Sequence, residues 1–234
     1  MTKPSRIGQE GPRHDRDAAV AEAEILYDPR FRALLGGEAW ARLPAAVRER
    51  FSKRMRPGAA VTYVGEIVES RRTWPGLLLA QLCRLIGGPL PLHDDVGTAA
   101  VVTVTEDARS GGQFWTRIYG RADGFPQVIH SSKRFAGPTG LEEYLGCGFG
   151  IALTVSADVE ALHFHGQHYF LALGPLRLRL PPWLGALTIS HVDRGDGGFA
   201  FVLALRHPLF GDIINQTGLF RERRAQDAEE IHGA

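Results

Sequence analysis

Cysteine is scarce in this sequence: Cys83 and Cys147 stand alone among 234 residues, and neither has a partner at redox or metal-ligand spacing. A disulfide framework and a thiolate metal centre are therefore excluded, and both thiols are expected to be buried. Charge of one sign is lacking too, with 27 Lys and Arg against 26 Asp and Glu and a formal net charge of +1. Such a balance gathers neither nucleic acid nor anionic lipid by charge alone, so no nucleic-acid partner is expected. Long hydrophobic runs are missing as well. The longest, Leu77 to Ile86, is broken by Gln81 and Arg84 and falls far short of the roughly 20 residues that a membrane-spanning helix needs. After Met1 to Arg6 come Gly, Pro and charges where a secretory signal would carry an apolar segment, and a cytoplasmic location is the expectation. Strand-to-helix GxSxG, GxGxxG and P-loop patterns are absent, so no nucleotide or other cofactor is expected.

What is present is an ordinary globular composition, 44% hydrophobic and 23% charged, in a chain long enough to bury a substantial core. Residues 1–16 hold Pro4, Gly8, Gly11 and Pro12 among polar side chains and read as a flexible tail. Residues 17–56 read as a helical brace. A first helix is expected from Ala18 to Leu26 behind the N-cap Asp17, interrupted by Pro29. A second runs from Phe31 to Leu35 and stops at Gly36-Gly37. A third carries Leu43, Val47 and Phe51 at four-residue spacing. Residues 17–220 together are expected to form one domain, and 221–234, rich in Arg and Glu, a charged tail.

After Pro57-Gly58 the hydrophobic period changes from near 3.6 to 2. A first strand is read at Val61 to Glu66. One later helix, Gly76 to Ile86, is apolar nearly all round, which suits burial against a sheet or across a barrel mouth. Strands then follow at spacings too short for crossover helices, which means antiparallel hairpins. They are read at Ala99 to Thr105, Gln113 to Tyr119, Gln127 to Phe135, Leu141 to Leu145, Phe149 to Ser156 and Ala161 to His165. Further strands are read at Tyr169 to Leu173, Leu176 to Leu180, Ala186 to Asp193, Phe199 to Arg206 and Ile213 to Phe220. The expected fold is mainly β, an antiparallel barrel-like sheet of about ten strands with a helical N-terminal segment and one helix packed on the barrel. A closed barrel of that size has room for one small ligand.

Six residues are candidate ligand contacts. Arg117 shares a face with Trp115 and Tyr119, and a cation there would suit an anionic ligand head; Phe114 and Ile118 on the other face make this strand read as covered on both sides. His130, Ser132 and Arg134 share one face of the next strand, with Lys133 on the other, and would suit carboxylate or carbonyl recognition. His191 alternates with Leu187 and Ile189, His207 ends the row from Phe199 to Leu205, and Gln216 shares a face with Ile214 and Phe220. Glu142 and Glu143, being adjacent on a strand, point to opposite faces and form no general acid/base pair. One of them is placed to contact Arg117 or Arg134. His163, His165 and His168 form the densest titratable cluster, but Leu162 and Phe164 claim the inward face. No carboxylate is read beside them, and no metal site is expected.

Several motifs carry a family resemblance. They include Gly87-Gly88-Pro89-Leu90-Pro91, Phe114-Trp115-Thr116-Arg117, Ser132-Lys133-Arg134-Phe135 and Gly140-Leu141-Glu142-Glu143. The series continues with Tyr169-Phe170-Leu171, His207-Pro208-Leu209-Phe210-Gly211 and Gln216-Thr217-Gly218-Leu219-Phe220. In this order, over about Leu26 to Phe220, the chain resembles a bacterial family catalogued as domain of unknown function 4166. That family also occurs behind saccharopine-dehydrogenase-like or short-chain-reductase-like domains. The resemblance implies small-molecule metabolism with a reductase-type enzyme as partner, and it carries over no catalytic residue. Residues and resemblance together lead to one expectation, a barrel whose cavity binds a hydrophobic or amphipathic small molecule. The alternative is a cofactor-independent isomerase, cyclase or hydrolase using a cavity histidine as acid/base.

Overall fold

A computed structural model of the chain describes residues 25–223. Strand β1 (Ile25–Tyr27) pairs antiparallel with β2 (Lys53–Met55), and three short helices lie between them: α1 (Arg30–Leu35), α2 (Gly37–Arg42) and α3 (Ala45–Phe51). Leu26 is thus in a strand, where the sequence led us to expect the end of a helix. The remainder of that helix and the N-terminal tail lie outside the described residues. Gly36 separates α1 from α2 at φ +80°, a conformation that costs glycine little. Buried Asp28 starts the segment by accepting hydrogen bonds from the Arg30 backbone N–H (3.0 Å) and Nε (2.8 Å).

The rest of the chain builds the sheet: β3 (Ala60–Arg72), α4 (Trp74–Cys83), β4 (Thr98–Asp107), β5 (Gly112–Tyr119), β6 (Gln127–Arg134), β7 (Leu141–Gly146) and β8 (Phe149–Ala157). After these come β9 (Ala161–Leu173), β10 (Leu176–Arg179), β11 (Ala186–Asp193), β12 (Gly198–His207) and β13 (Gly211–Glu222). All their pairings are antiparallel, as hairpin-length connections require. The order is β9-β11-β12-β13-β3-β4-β5-β6-β7-β8, and β8 returns to β9, so ten strands close into a barrel. The eleventh, β10, pairs with the outer part of β9 alone.

Strand β9 is one element where two strands were expected. A register shift opposite Ala152/Leu153 lets it run through Gly166 without breaking. Arg221 and Glu222, expected in the tail, belong to β13 and pair with Val64 and Tyr63. Closure between these sequence-distant strands needs Gly65, since a Cβ there would lie 1.8 Å from the Leu219 carbonyl oxygen.

The two barrel ends differ. At one, Phe31, Trp40, Leu43, Val47 and Phe51 insert from α1–α3 and join the barrel core. Phe31 packs edge-on against Phe51, Phe135 and Phe164, with ring centroids 5.0 to 6.0 Å apart. At the other end α4 crosses the mouth. Thr73 donates from its backbone N–H to the Ile213 carbonyl (3.0 Å), and Gly76 lies so close to the same carbonyl that a Cβ would come within 2.2 Å of it. Gly76→Ala is therefore expected to push α4 off β13 and to cost about 1–3 kcal/mol, as overpacking does. Urea denaturation measures this, and a loss below about 0.5 kcal/mol would mean that α4 is not seated on that strand. The segment after α4 is tied over the same end by Gln127, whose side chain accepts from the Leu92 N–H and donates to the Leu90 carbonyl, both at 2.9 Å.

Candidate functional site

Alternation decides which side chains enter the barrel. Val102 and Val104 of β4, Trp115, Arg117 and Tyr119 of β5, and Ile129, Ser131 and Lys133 of β6 are buried within it. So are Leu141 and Glu143 of β7, Leu187, Ile189 and His191 of β11, and Phe199, Phe201, Leu203 and Leu205 of β12. Beyond the aromatic layer beside α1–α3 the filling stops. A cavity of about 430 Å³ remains between that layer and α4. Leu79, Leu82, Leu85 and Ile86 bound it from above, and Leu145, Ile151, Leu187, Ile189, Leu203 and Leu205 from the barrel wall. Cys83 and Tyr169 also reach it, and burial pushes both side chains up in pKa.

Arg117 and Glu143 are the charged side chains on this wall. Glu143 is 2% exposed and forms an ion pair with Lys133 Nζ at 2.9 Å, itself 3% exposed. Arg117 Nη2 donates to Ser131 Oγ (2.6 Å) and stands 3.7 Å from Glu143 Oε1. Arg117 Nε is buried and has no hydrogen-bond partner among the described residues. Burial alone would raise the Glu143 carboxyl, but Lys133 and Arg117 outweigh it and hold the group at about 2. Lys133 also moves down, because burial and the like charge of Arg117 together exceed the attraction of Glu143.

The structure brings Arg117 to the cavity and disperses the other expected contacts. His191 is buried one layer deeper than Ile189, in a cage of Phe51, Trp115, Phe164, Phe199 and Phe201 with centroids 4.9 to 5.9 Å away. Burial, then the charges of Arg50, Lys133 and Arg117, drive its pKa well below 6.5. It is not on the cavity wall. His130 lies on the outer face, bonded to Thr116 Oγ1 at 3.1 Å. Arg134 is outside as well, 3.4 Å from Asp107 and stacked on Tyr144. The face of β6 that enters the barrel is the one with Lys133. His207 ends β12, and its Nδ1 turns to accept from the Leu209 N–H in the β12–β13 turn (3.1 Å). Gln216 is buried below the segment following α4, near Ile67, Pro91 and Tyr119.

Three further expectations are corrected. Cys147 is exposed in the β7–β8 turn, and Cys83 is half-buried. The outer face of β5 is not covered, since Phe114 and Ile118 are both exposed. The histidine cluster does have a carboxylate beside it: His163 bonds Asp158 Oδ2 at 2.9 Å and Ser190 Oγ at 2.7 Å. His165 bonds Ser156. Among the described residues no three or more His, Cys, Asp or Glu side chains are grouped to hold a metal ion.

Sequence reasoning did not single out Lys133 or Glu143 as site residues. The signal was readable in Leu141, Glu143 and Leu145, where one carboxylate interrupts an otherwise apolar inward row. A polar group in such a row must find a partner when buried.

A family model described as a domain of unknown function (DUF4166) matches residues 43–220. No curated protein and no solved structure matches the chain.

Proposed function

Because the chain belongs to the DUF4166 family, whose description names no activity, we propose its function from the cavity itself: the barrel binds a hydrophobic or amphipathic small molecule beneath α4. One observation carries this reading, the apolar space of about 430 Å³ with two charged side chains at its wall. Small-molecule sites have this character and a volume of roughly 300–1,000 Å³, with few polar groups to fix orientation. Unfilled space lined by leucines forfeits packing contacts that an occupant would supply.

The enzymatic reading assigned proton transfer to a cavity histidine, and no histidine is among the side chains lining the cavity. Binding is therefore the reading we retain.

The test is a neutral, environment-sensitive dye, N-phenyl-1-naphthylamine, titrated with the purified full chain. Saturable fluorescence enhancement at one dye per chain is expected. Leu187→Trp, which enlarges a wall side chain, should suppress the signal while circular dichroism stays unchanged. No enhancement with the wild-type protein would refute the proposal, and an unaffected signal in Leu187→Trp would place the dye elsewhere.

A further inference from the structure

We infer that the occupant carries a carboxylate and that Arg117 receives it at the inner end of the cavity. This inference rests on the binding reading above and adds the chemical class: a medium-length aliphatic or aromatic monocarboxylic acid.

The first observation is an incomplete hydrogen-bond shell. Arg117 is 6% exposed, lies on the cavity wall, and has Nε without a partner among the described residues. A buried guanidinium normally satisfies its N–H groups, and one left open costs free energy. Its contact to Glu143 at 3.7 Å is a charge contact and is too long for a hydrogen bond. Arg117 thus stands on the cavity wall with donor capacity that Ser131 and Glu143 do not fill.

The second observation concerns charge. Arg117 and Lys133 are both buried, and Glu143 is the carboxylate that contacts both of them. The neighbouring Glu142 cannot serve, because it points to the other face of β7 and is engaged by Arg177 and Tyr144. With Lys133 protonated, two cations face one carboxylate, an excess of one positive charge in a low-dielectric interior, where an unpaired charge is expensive. One added monoanion restores neutrality, whereas a phosphate dianion would overshoot it. A carboxylate also has the planar pair of oxygens that matches guanidinium N–H groups.

The third observation is the rest of the wall. Ile151, Leu187, Ile189, Leu203 and Leu205 continue from Arg117 toward α4 without another charge except Glu143. Past its acid group, the ligand must therefore be apolar.

Displacement of the bound dye from the full chain by sodium decanoate, 1-decanol and decylamine, each below its aggregation concentration, tests the inference. Decanoate is expected to displace it at a concentration at least about tenfold lower than decanol, the effect of a charge-assisted hydrogen bond. Decylamine should do no better than decanol. In Arg117→Met the advantage of the acid over the alcohol should disappear. Should Arg117→Met fail to fold, Arg117→Lys keeps the charge but loses the planar donor pair, and the acid preference should still shrink. Equal displacement by decanoate and decanol in the wild type, or an acid preference that survives both substitutions, overturns the carboxylate assignment and leaves the cavity reading standing. Failure of the dye and of all three compounds to bind overturns both.

Discussion

Glu143→Leu is expected to lower folding stability by about 3–5 kcal/mol, the cost of removing one partner from a buried ion pair and stranding the other. Here Lys133 at 2.9 Å and Arg117 at 3.7 Å are both left without their counter-charge. The double replacement Lys133→Met with Glu143→Leu should recover the part of the loss that comes from stranding Lys133, since an apolar pair of similar volume is often as stable as the ion pair it replaces, while Arg117 stays without its counter-charge. Urea denaturation of the single and double variants checks this, and equal losses in the two would rule out electrostatic stranding as the cause. The same group sets a response to acid. Glu143 is held at about 2 when folded against an ordinary 4.5, so it favours the folded state above pH 4.5. That contribution is lost as pH falls from 4.5 toward 2. Wild-type stability should therefore decline more steeply across this window than that of the double variant, which lacks the carboxylate.

A loss of comparable size is expected in the aromatic layer beside α1–α3. Phe31→Ala should cost about 3–5 kcal/mol, the range for deleting a fully buried aromatic that its surroundings cannot collapse around. Phe31 is completely buried, and three rings from three elements meet it: Phe51 of α3, Phe135 after β6 and Phe164 of β9. Arg30 also stacks on Phe135, 3.9 Å from the ring centroid. Thermal unfolding followed by circular dichroism should show one cooperative transition at lower temperature. An unchanged midpoint, or a separate early transition for the helices, would mean that α1–α3 fold independently of the barrel.

The barrel was legible because period-2 alternation and short turns leave few alternatives to antiparallel hairpins. Closure was less so, since the pairing of β13 with β3 joins residues such as Phe220 and Gly65 that no local pattern connects. The site depended on register. In β6 both faces are polar, with Ser131 and Lys133 on one and His130, Ser132 and Arg134 on the other, so alternation could not say which enters. Cross-strand pairing settled it: Ser131 stands opposite Trp115, and Trp115 must be inside. His207 shows a related limit, because it is the last residue of β12 and follows the β12–β13 turn instead of continuing the inward row. Arg117 was found because Trp115 and Tyr119 flank it on a strand without a bulge.

Strand β10 has a consequence beyond the site. Ten strands hide their edges in one another, but among the described residues β10 pairs on one side only, with β9. Its other side is a row of backbone donors and acceptors onto which a strand from a second molecule could zip, the first step of edge-to-edge aggregation. The sequence at this edge opposes that step. The strand is four residues long, Arg177 and Arg179 alternate along its exposed length, and Pro181 follows closely with no N–H to offer. Approach of an identical edge would set Arg179 against its copy, so the edge that stays open among the described residues is guarded by repulsion between copies.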